Sequence, residues 1–347
     1  WVMDAIALQD NQTLYISGGA VLHSIVSVAN AENVRICGRG IIDGSDYPAW
    51  NQPGSYARVP IDLNHSKNVK VEGIILANSN CWNLNSYSSK DVTIDNVKII
   101  SGRQNGDGFT FQSCTNHLVT NSFARTWDDS LVLKNYSGST KGITFRNIQI
   151  WTDLAQSMEI GYETDKGWTL DPEISDVLFE DITVLYNFHK PVISIHNSDD
   201  AYVHDIVYRN IMVENALMQG DNGNNKELIE MTLLKSGWST VKDEYGSIDN
   251  VLIDGMTVLN TVNGKMPAAD EVFTFTLTSG YQDKYYLRAQ AARDRLTREF
   301  RAVMESCDGL VCPVSPRAAW ELGQKPDSVA LYQSDLYTVP ANLTGLP

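Results

Sequence analysis

The 347-residue sequence has few basic residues and no long apolar run. It contains 27 Lys and Arg against 42 Asp and Glu, a net charge of −15, and therefore lacks the positive surface with which proteins neutralise nucleic-acid phosphates. None of its apolar stretches is long enough to span a bilayer as a helix. We therefore expect neither nucleic acid nor a membrane as a partner. The oligomeric state is left open.

Cysteine is also scarce. The odd number of cysteines and their scattered spacing exclude a complete disulfide framework, and no pair has the spacing of a zinc site. We therefore expect no metal and no other cofactor. The five cysteines are Cys37, Cys81, Cys114, Cys307 and Cys312.

The most frequent feature of the sequence is an eight-residue pattern, apolar-x-apolar-x-(Gly/Asp/Asn)-apolar-x-apolar. Alternation with period 2, interrupted by a turn-forming residue, predicts short strands separated by bends. Return of the same register at steps of 23 to 45 residues predicts stacked coils, an all-β, right-handed parallel β-helix, whereas an antiparallel sandwich would not require that register. Long connections are expected at 44–60 and 214–248. The copies start at Val34, Val69, Val92, Ile143, Val177, Ile206 and Val251, with a degenerate copy at Leu118.

Two neighbouring coils carry acidic motifs. Asn105-Gly-Asp107-Gly is followed by Trp127-Asp128-Asp129, and the 21 residues from Asp107 to Asp128 equal one short coil, so three carboxylates should share one patch. Stacked carboxylates repel one another and hold a proton near neutral pH, as glycoside hydrolysis requires of its acid. Turn chemistry and a calcium site are the alternatives.

These motifs resemble those of the polygalacturonase-like clan of β-helix glycoside hydrolases. The clan includes the pectinases of family 28, the dextranase and isopullulanase group of family 49 and, similarly, the α-1,3-glucanases of family 87. The resemblance covers about residues 1–265. It implies an inverting hydrolase in which Asp128 is the general acid, while Asp107 and Asp129 hold and activate the water.

The substrate prediction depends on two departures from the pectinases. Their Gly-His-Gly and Arg-Ile-Lys motifs, whose cations bind uronates, correspond here to Gln156–Gly161 and Ile193–Asn197. The basic pair is missing, and Glu159 should repel an anionic sugar. We therefore predict a secreted or periplasmic enzyme that cleaves a neutral, dextran-like α-glucan. A pectin-type hydrolase and a non-catalytic glycan-binding β-helix are the alternatives.

Several side chains near the acidic motifs are candidates for binding the polysaccharide. Aromatic rings can pack against sugar faces, and polar side chains can bond hydroxyl groups. If strand alternation is unbroken, Lys134 lies with Ser130 and Val132 on the solvent face of its strand, opposite Asp129. The predicted substrate-binding residues are Trp82, Asn105, Trp127, Lys134, Glu159, Tyr162 and His196.

The pattern changes after about residue 270. The segment from Tyr285 to Phe300 has helical spacing and should form a helix that caps the solenoid. Thr278-Ser-Gly-Tyr-Gln-Asp-Lys-Tyr-Tyr and Ser334-Asp-Leu-Tyr-Thr-Val-Pro-Ala-Asn-Leu resemble the carboxy-terminal region of the amidase-signature family, specifically of the glutamyl-tRNA(Gln) amidotransferase amidase chain. The catalytic Ser-Ser-Lys set of that family lies in a part that this chain does not contain, so we expect no amidase activity. We interpret the chain as chimeric, by fusion or sequence artefact, with a β-helix catalytic domain at 1–270 and an amidase-like fragment at 271–347.

Overall fold

The computed structural model describes residues 5–50, 52, 57–217, 227–259, 297–298 and 301. The chain divides into two compact units, Trp1–Thr274 and Phe275–Pro347. In the second unit, residues 297–298 and 301 are helical. The rest of the predicted helix from Tyr285 to Phe300, and its predicted role as a cap, lie outside the described residues.

The first unit contains 22 described strands. They are β1 Ile6–Leu8, β2 Thr13–Ile16, β3 Val21–Leu22, β4 Val26–Ala29, β5 Glu32–Gly38, β6 Ile41–Asp43, β7 Ile61–Asn64, β8 Lys67–Glu72, β9 Ile75–Ala77, β10 Leu84–Tyr87, β11 Lys90–Asp95, β12 Lys98–Ile100, β13 Phe109–Gln112, β14 Thr115–Thr126, β15 Leu131–Lys134, β16 Thr140–Thr152, β17 Met158–Tyr162, β18 Glu173–Asn187, β19 Ile193–Asn197, β20 Tyr202–Val213, β21 Ile229–Leu233 and β22 Ser247–Val258.

These strands form two parallel sheets that wind together as a right-handed β-helix, which confirms the predicted fold. A nine-stranded sheet runs β1-β4-β7-β10-β13-β15-β17-β19-β21. A thirteen-stranded sheet receives the remaining strands. In early coils it takes two short strands per turn, such as β11 and β12, whereas from β14 onward one long bent strand crosses both parts of this sheet.

The eight-residue pattern forms the thirteen-stranded sheet. Val69 and Val92, the first residues of two copies, are register partners. The fifth position is where each coil bends, and the φ angles of Asn96, Asn121 and Asn147 are 57°, 52° and 53°. Glycine, asparagine and aspartate tolerate this left-handed region best, which explains why they occupy that position. The Asn147 Nδ2 also donates to the Asn121 Oδ1 at 2.7 Å, which links neighbouring bends.

One copy begins a residue earlier than the sequence pattern predicts. The register partner of both Val92 and Ile143 is His117, not Leu118. His117 is 2% exposed, its Nε2 lies 2.9 Å from the Ser86 Oγ, and burial lowers its pKa to about 4. The prediction was wrong because it required an apolar residue in this column, whereas a neutral, hydrogen-bonded imidazole also fits there.

Aliphatic and aromatic side chains fill the interior of the solenoid. Phe111, Phe145, Phe179 and Tyr208 stack in succession with ring-centroid distances of 5.5, 5.1 and 4.8 Å. Coil stacking therefore continues through the core as well as through the backbone ladders. Of the cysteines, Cys37, Cys81 and Cys114 are described, and all three are buried and free.

Two searches of the described residues found nothing. None of their helical segments has the length and apolar character needed to cross a membrane. No three His, Cys, Asp or Glu side chains among them are grouped so that they could hold a metal ion.

Candidate active site

The acidic motifs lie where the chain enters β13 and β15 of the nine-stranded sheet. Phe109 and Leu131 are register partners, an offset of 22 residues. Asp107 and Asp129 each precede their strand by the same two residues and are therefore aligned. The prediction that Asp107 stacks on Asp128 was wrong by one residue, because the step between these coils is 22 residues and not 21.

A glycine permits the close approach of these two coils. The Gly108 N–H donates to the Asp129 carbonyl at 2.7 Å. A Cβ at Gly108 would lie 2.2 Å from the Ser130 carbonyl oxygen, which is far inside contact distance. The Asp-Gly pair in the sequence therefore combines a carboxylate with the one residue that lets the next coil pack directly against it.

The structure brings the three predicted acids together. Asp107 and Asp129 are 4% and 7% exposed, while Asp128 is half-buried. Burial and then the charge of Asp128 raise the pKa of both Asp107 and Asp129 well above the usual range for aspartate. Burial also raises the pKa of Asp128. The cluster therefore retains protons at a pH where isolated aspartates would be ionised.

Backbone groups orient two of these carboxylates. The Asp129 Oδ1 accepts the Gln156 N–H from the following coil at 2.9 Å. The Asp128 Oδ1 accepts the Asp129 N–H at 3.0 Å, and the Asp128 carbonyl accepts the Thr126 hydroxyl at 2.6 Å. Both carboxylates are therefore tied to the ends of strands and not to a free loop.

Strand β15 carries Lys134 on its outer face. Leu131 and Leu133 belong to the hydrophobic core, whereas Val132 and Lys134 point the other way, as alternation predicts. The strand begins only at Leu131, so the alternation does not extend to Ser130, whose hydroxyl bonds to buried groups. Lys134 is also only 7% exposed, so the expectation that it faces solvent was wrong.

Lys134 is enclosed by an acid and aromatic rings. Its Nζ lies 2.9 Å from the Glu163 Oε2 and 5.8 Å from the ring centroid of Trp82. The Tyr136 hydroxyl donates to the Glu163 Oε1 at 2.9 Å. Burial lowers the pKa of Lys134, but the charges of Glu163 and Asp107 outweigh that effect and raise it. Burial raises the pKa of Glu163, but Lys134 reverses that shift, so both groups are charged at neutral pH.

A second buried ion cluster lies on β17, β19 and β21. The His196 Nδ1 is 2.9 Å from the Glu159 Oε1, and its Nε2 is 3.1 Å from the Glu230 Oε2. Tyr162 stacks on the imidazole at 4.4 Å. Burial lowers the pKa of His196, but the charge of Glu159 and the hydrogen bonds to both glutamates raise it to about 10. His196 is therefore a cation at neutral pH.

The position of Glu159 corrects the argument by which the sequence excluded an anionic sugar. Glu159 is 0% exposed and is bonded to the Ser194 hydroxyl as well as to His196. Because it is buried and paired with a cation, it does not present a repelling charge to the groove. Its charge acts instead on the neighbouring acids and raises the pKa of Asp128 and Asp129.

The other predicted binding residues are only partly accessible. Trp82, Trp127 and Tyr162 are half-buried. Asn105 is half-buried too, in the turn before β13, with its Nδ2 3.7 Å from the Cys81 Sγ and a φ of 61°. Each of these four side chains therefore has only part of its surface available to a sugar.

Sequence reasoning missed Glu163, Tyr136 and Glu230, the partners of the two cations. Glu230 lies on β21, inside the stretch 214–248 that was expected to be a connection. The alternation Ile229-Glu-Met-Thr-Leu233 indicates a strand and could have revealed it. No local pattern marks Glu163 or Tyr136, because their pairing with Lys134 arises only when successive coils stack.

Comparison with known proteins gives two family matches, each over more than half of the chain. The family model described as glycosyl hydrolases family 28 matches residues 5–227. The family model described as amidase matches residues 151–347. The matches overlap at 151–227, where the described residues continue the β-helix through β17, β18, β19 and β20.

Solved structures are similar to the β-helix in fold. A family 28 exopolygalacturonase from Yersinia enterocolitica has a TM-score of 0.61 and 16% identity, over 77% of this chain and 60% of that one. A tailspike protein of E. coli bacteriophage HK620 has a TM-score of 0.52 and 13% identity, over 74% of this chain and 49% of that one. At such identities the likeness shows the fold alone.

Curated relatives match the carboxy-terminal part. The amidase chain of glutamyl-tRNA(Gln) amidotransferase from Rippkaea orientalis is 49% identical over 75 residues, 21% of this chain and 16% of the relative. The same protein from Thermus thermophilus is 51% identical over 76 residues, 22% of this chain and 16% of the relative. The chain thus spans about a sixth of the length of these relatives.

A parallel β-helix with clustered, proton-retaining carboxylates at the entries to its strands defines a class, the β-helix glycoside hydrolases. The chain belongs to glycosyl hydrolases family 28 over its β-helix and to the amidase family over its carboxy-terminal part. It therefore joins parts of two families, as the two sequence resemblances indicate.

Proposed function

We propose that the β-helix hydrolyses glycosidic bonds in a pectin-type polysaccharide, with inversion at the anomeric carbon. The observation that carries the proposal is the cluster of Asp107, Asp128 and Asp129, three carboxyl groups whose pKa values are all raised. Membership of family 28 favours a pectin-type substrate over the dextran-like glucan predicted from the sequence.

Each acid has a proposed role. Asp128, the half-buried member, gives its proton to the leaving glycosidic oxygen as the bond to the anomeric carbon breaks. Asp107 and Asp129 hold a water, and one of them takes its proton as its oxygen attacks that carbon. Asp129 is suited to ionisation because its carboxylate accepts the Gln156 N–H. Repulsion among the three keeps a proton on the cluster, so acid and base coexist.

The charge around the cluster narrows the sugar at the reacting bond. The two cations nearest the acids, Lys134 and His196, are already paired with Glu163, Glu159 and Glu230. A free uronate carboxylate would have to compete with these glutamates. We therefore propose that the reacting sugar is a neutral or esterified unit of the pectic chain.

A substrate panel tests this proposal. The wild-type protein is incubated with methyl-esterified pectin, rhamnogalacturonan, polygalacturonate and dextran, and new reducing ends are measured. We expect cleavage of one of the first two, at least about tenfold faster than of polygalacturonate, which corresponds to about 1.4 kcal/mol of discrimination. Preferential cleavage of dextran would contradict the pectin assignment. Preferential cleavage of polygalacturonate would contradict the uncharged reacting sugar.

The stereochemistry is tested separately. Proton NMR of the first-formed product identifies its anomer before mutarotation. The anomer opposite to the linkage in the substrate is expected. Retention of configuration would contradict direct attack by water and would require a carboxylate to act as a nucleophile.

A further inference from the structure

A chain of buried hydroxyl groups passes beneath the acidic cluster. The Oγ1 of Thr126 lies 2.7 Å from the Ser130 Oγ, and the Ser130 Oγ lies 2.8 Å from the Thr152 Oγ1. From Thr152 the Ser157 Oγ is 3.2 Å away, and Ser157 donates to the Asn187 Oδ1 at 2.6 Å. All five residues are 0% exposed. The chain thus links three successive coils where they enter the nine-stranded sheet.

The contacts at one end set the direction of the hydrogen bonds. Thr126 donates its only hydroxyl proton to the Asp128 carbonyl at 2.6 Å. It must then accept from Ser130, and Ser130 in turn must accept from Thr152. A one-way chain in a buried environment strengthens its terminal bond, because each donor polarises the next. The terminal bond is the one to Asp128.

The same peptide group is held on both sides. Its carbonyl belongs to Asp128 and accepts from Thr126, and its N–H belongs to Asp129 and donates to the Asp128 carboxylate at 3.0 Å. A rotation of this peptide would move that N–H and would release the Asp128 carboxylate from its orientation. The hydroxyl chain therefore acts on the carboxylate through a single rigid unit.

We propose that Thr126, supported by Ser130 and Thr152, is a positioning residue that aims the Asp128 carboxyl group at the leaving oxygen. This proposal rests on the proposed function, in which Asp128 is the general acid. Proton transfer needs donor and acceptor within hydrogen-bond reach, and small misplacement caused by distant residues can reduce turnover about 10²-fold.

Four variants separate positioning from simple stabilisation. Thr126→Val removes the terminal hydroxyl, Thr126→Ser retains it, and Ser130→Ala removes the group behind it. The control is Ser66→Ala on an early coil. Ser66 is 2% exposed and donates to the Val28 and Asn64 carbonyls at 3.1 and 2.9 Å, so it loses comparable bonds away from the acids.

Kinetics on the best substrate of the panel give the first readout. We expect Thr126→Val to lower kcat about 10- to 100-fold with KM changed less than about threefold. Ser130→Ala should show a smaller loss in kcat, and Thr126→Ser should restore most of it. Ser66→Ala should lower Tm to a similar extent while leaving kcat near the wild-type value.

A second readout needs no substrate. Carbon-13 NMR of labelled aspartate follows the titration of the Asp128 carboxyl, identified by its absence in Asp128→Asn. Loss of the bond from the Asp129 N–H should raise the pKa of this carboxyl in Thr126→Val and leave it unchanged in Ser66→Ala.

The outcomes distinguish this inference from the proposed function. An unchanged kcat and an unchanged titration in folded Thr126→Val overturn the positioning role, while an inactive Asp128→Asn leaves the proposed function standing. Full activity of Asp128→Asn overturns the assignment of the acid and the inference together. A Thr126→Val variant that loses kcat only in proportion to its loss of folded protein also overturns the inference.

Discussion

The two sheets of the solenoid differ in how strictly they repeat. The thirteen-stranded sheet returns the same eight-residue pattern in almost every coil, with turn residues such as Asn121 and Asn147 bonded one above the other. The nine-stranded sheet keeps core residues such as Leu131 and Ile160 in register, but its outer face changes from coil to coil. A sheet whose only task is stacking can repeat, whereas a sheet that carries a site cannot.

The cost of this variation is visible in the electrostatics. The nine-stranded sheet and the turns that enter it hold three aspartates and two buried cations, each compensated by a neighbour in another coil. Buried charge stabilises little and is destabilising when one partner is lost. Changes in this sheet should therefore affect activity or pH dependence, whereas changes in the repetitive sheet should affect stability alone.

The largest expected effect is on catalysis. Asp128→Asn retains the shape of the side chain but cannot supply the proton, and it should lower kcat about 10²- to 10⁴-fold with Tm nearly unchanged. Asp95→Asn is the matched change in the repetitive sheet, where the carboxylate accepts only the Asn121 amide at 2.8 Å. It should leave kcat unchanged. Equal activity losses in both variants would remove the distinction between the sheets.

The next effect is on stability alone. Phe145→Ala removes the ring between Phe111 and Phe179 and should lower the free energy of unfolding by about 3–5 kcal/mol. Denaturant unfolding measures this loss, and kcat per folded molecule at low temperature should stay at the wild-type value. A large fall in kcat of the folded protein would mean that the core stack also shapes the site.

A third prediction concerns pH. The folded-state pKa of His196 is about 10, above the usual 6.5, so its stabilisation is complete below about pH 6.5 and is lost as the pH rises toward 10. His196→Gln leaves Glu159 buried without its cation and should lower stability at pH 6 by about 3 kcal/mol. The difference from wild type should shrink toward pH 10. A constant difference across that range would contradict a charged His196.

The smallest effect tests the bends of the repetitive sheet. Asn121 has a φ of 52°, so Asn121→Ala should lower the free energy of unfolding by about 1 kcal/mol, while Asn121→Gly should be nearly neutral. Thermal unfolding of both variants measures the difference. Equal destabilisation by alanine and glycine would mean that the bonds of the amide matter more than the backbone conformation.

The accuracy of the sequence predictions follows the same division between the sheets. Strand alternation is a local property, so the parallel β-helix and the core-facing residues of β15 could be predicted from short windows. The start of one copy was misplaced at Leu118 because His117 is polar in sequence and neutral when buried. The position of Asn121 four residues after His117, as in the other copies, carried the correct register.

Local sequence determined that this chain forms stacked coils and that two of them carry acidic motifs, because both properties depend on residues close together in the chain. Only the tertiary structure decided which acids align, that Glu159 is buried against His196, and that Lys134 pairs with Glu163. The physical reason is that these contacts join different coils. Coil length varies with the inserted connections, so each pairing depends on how far every coil travels before it returns to the sheet.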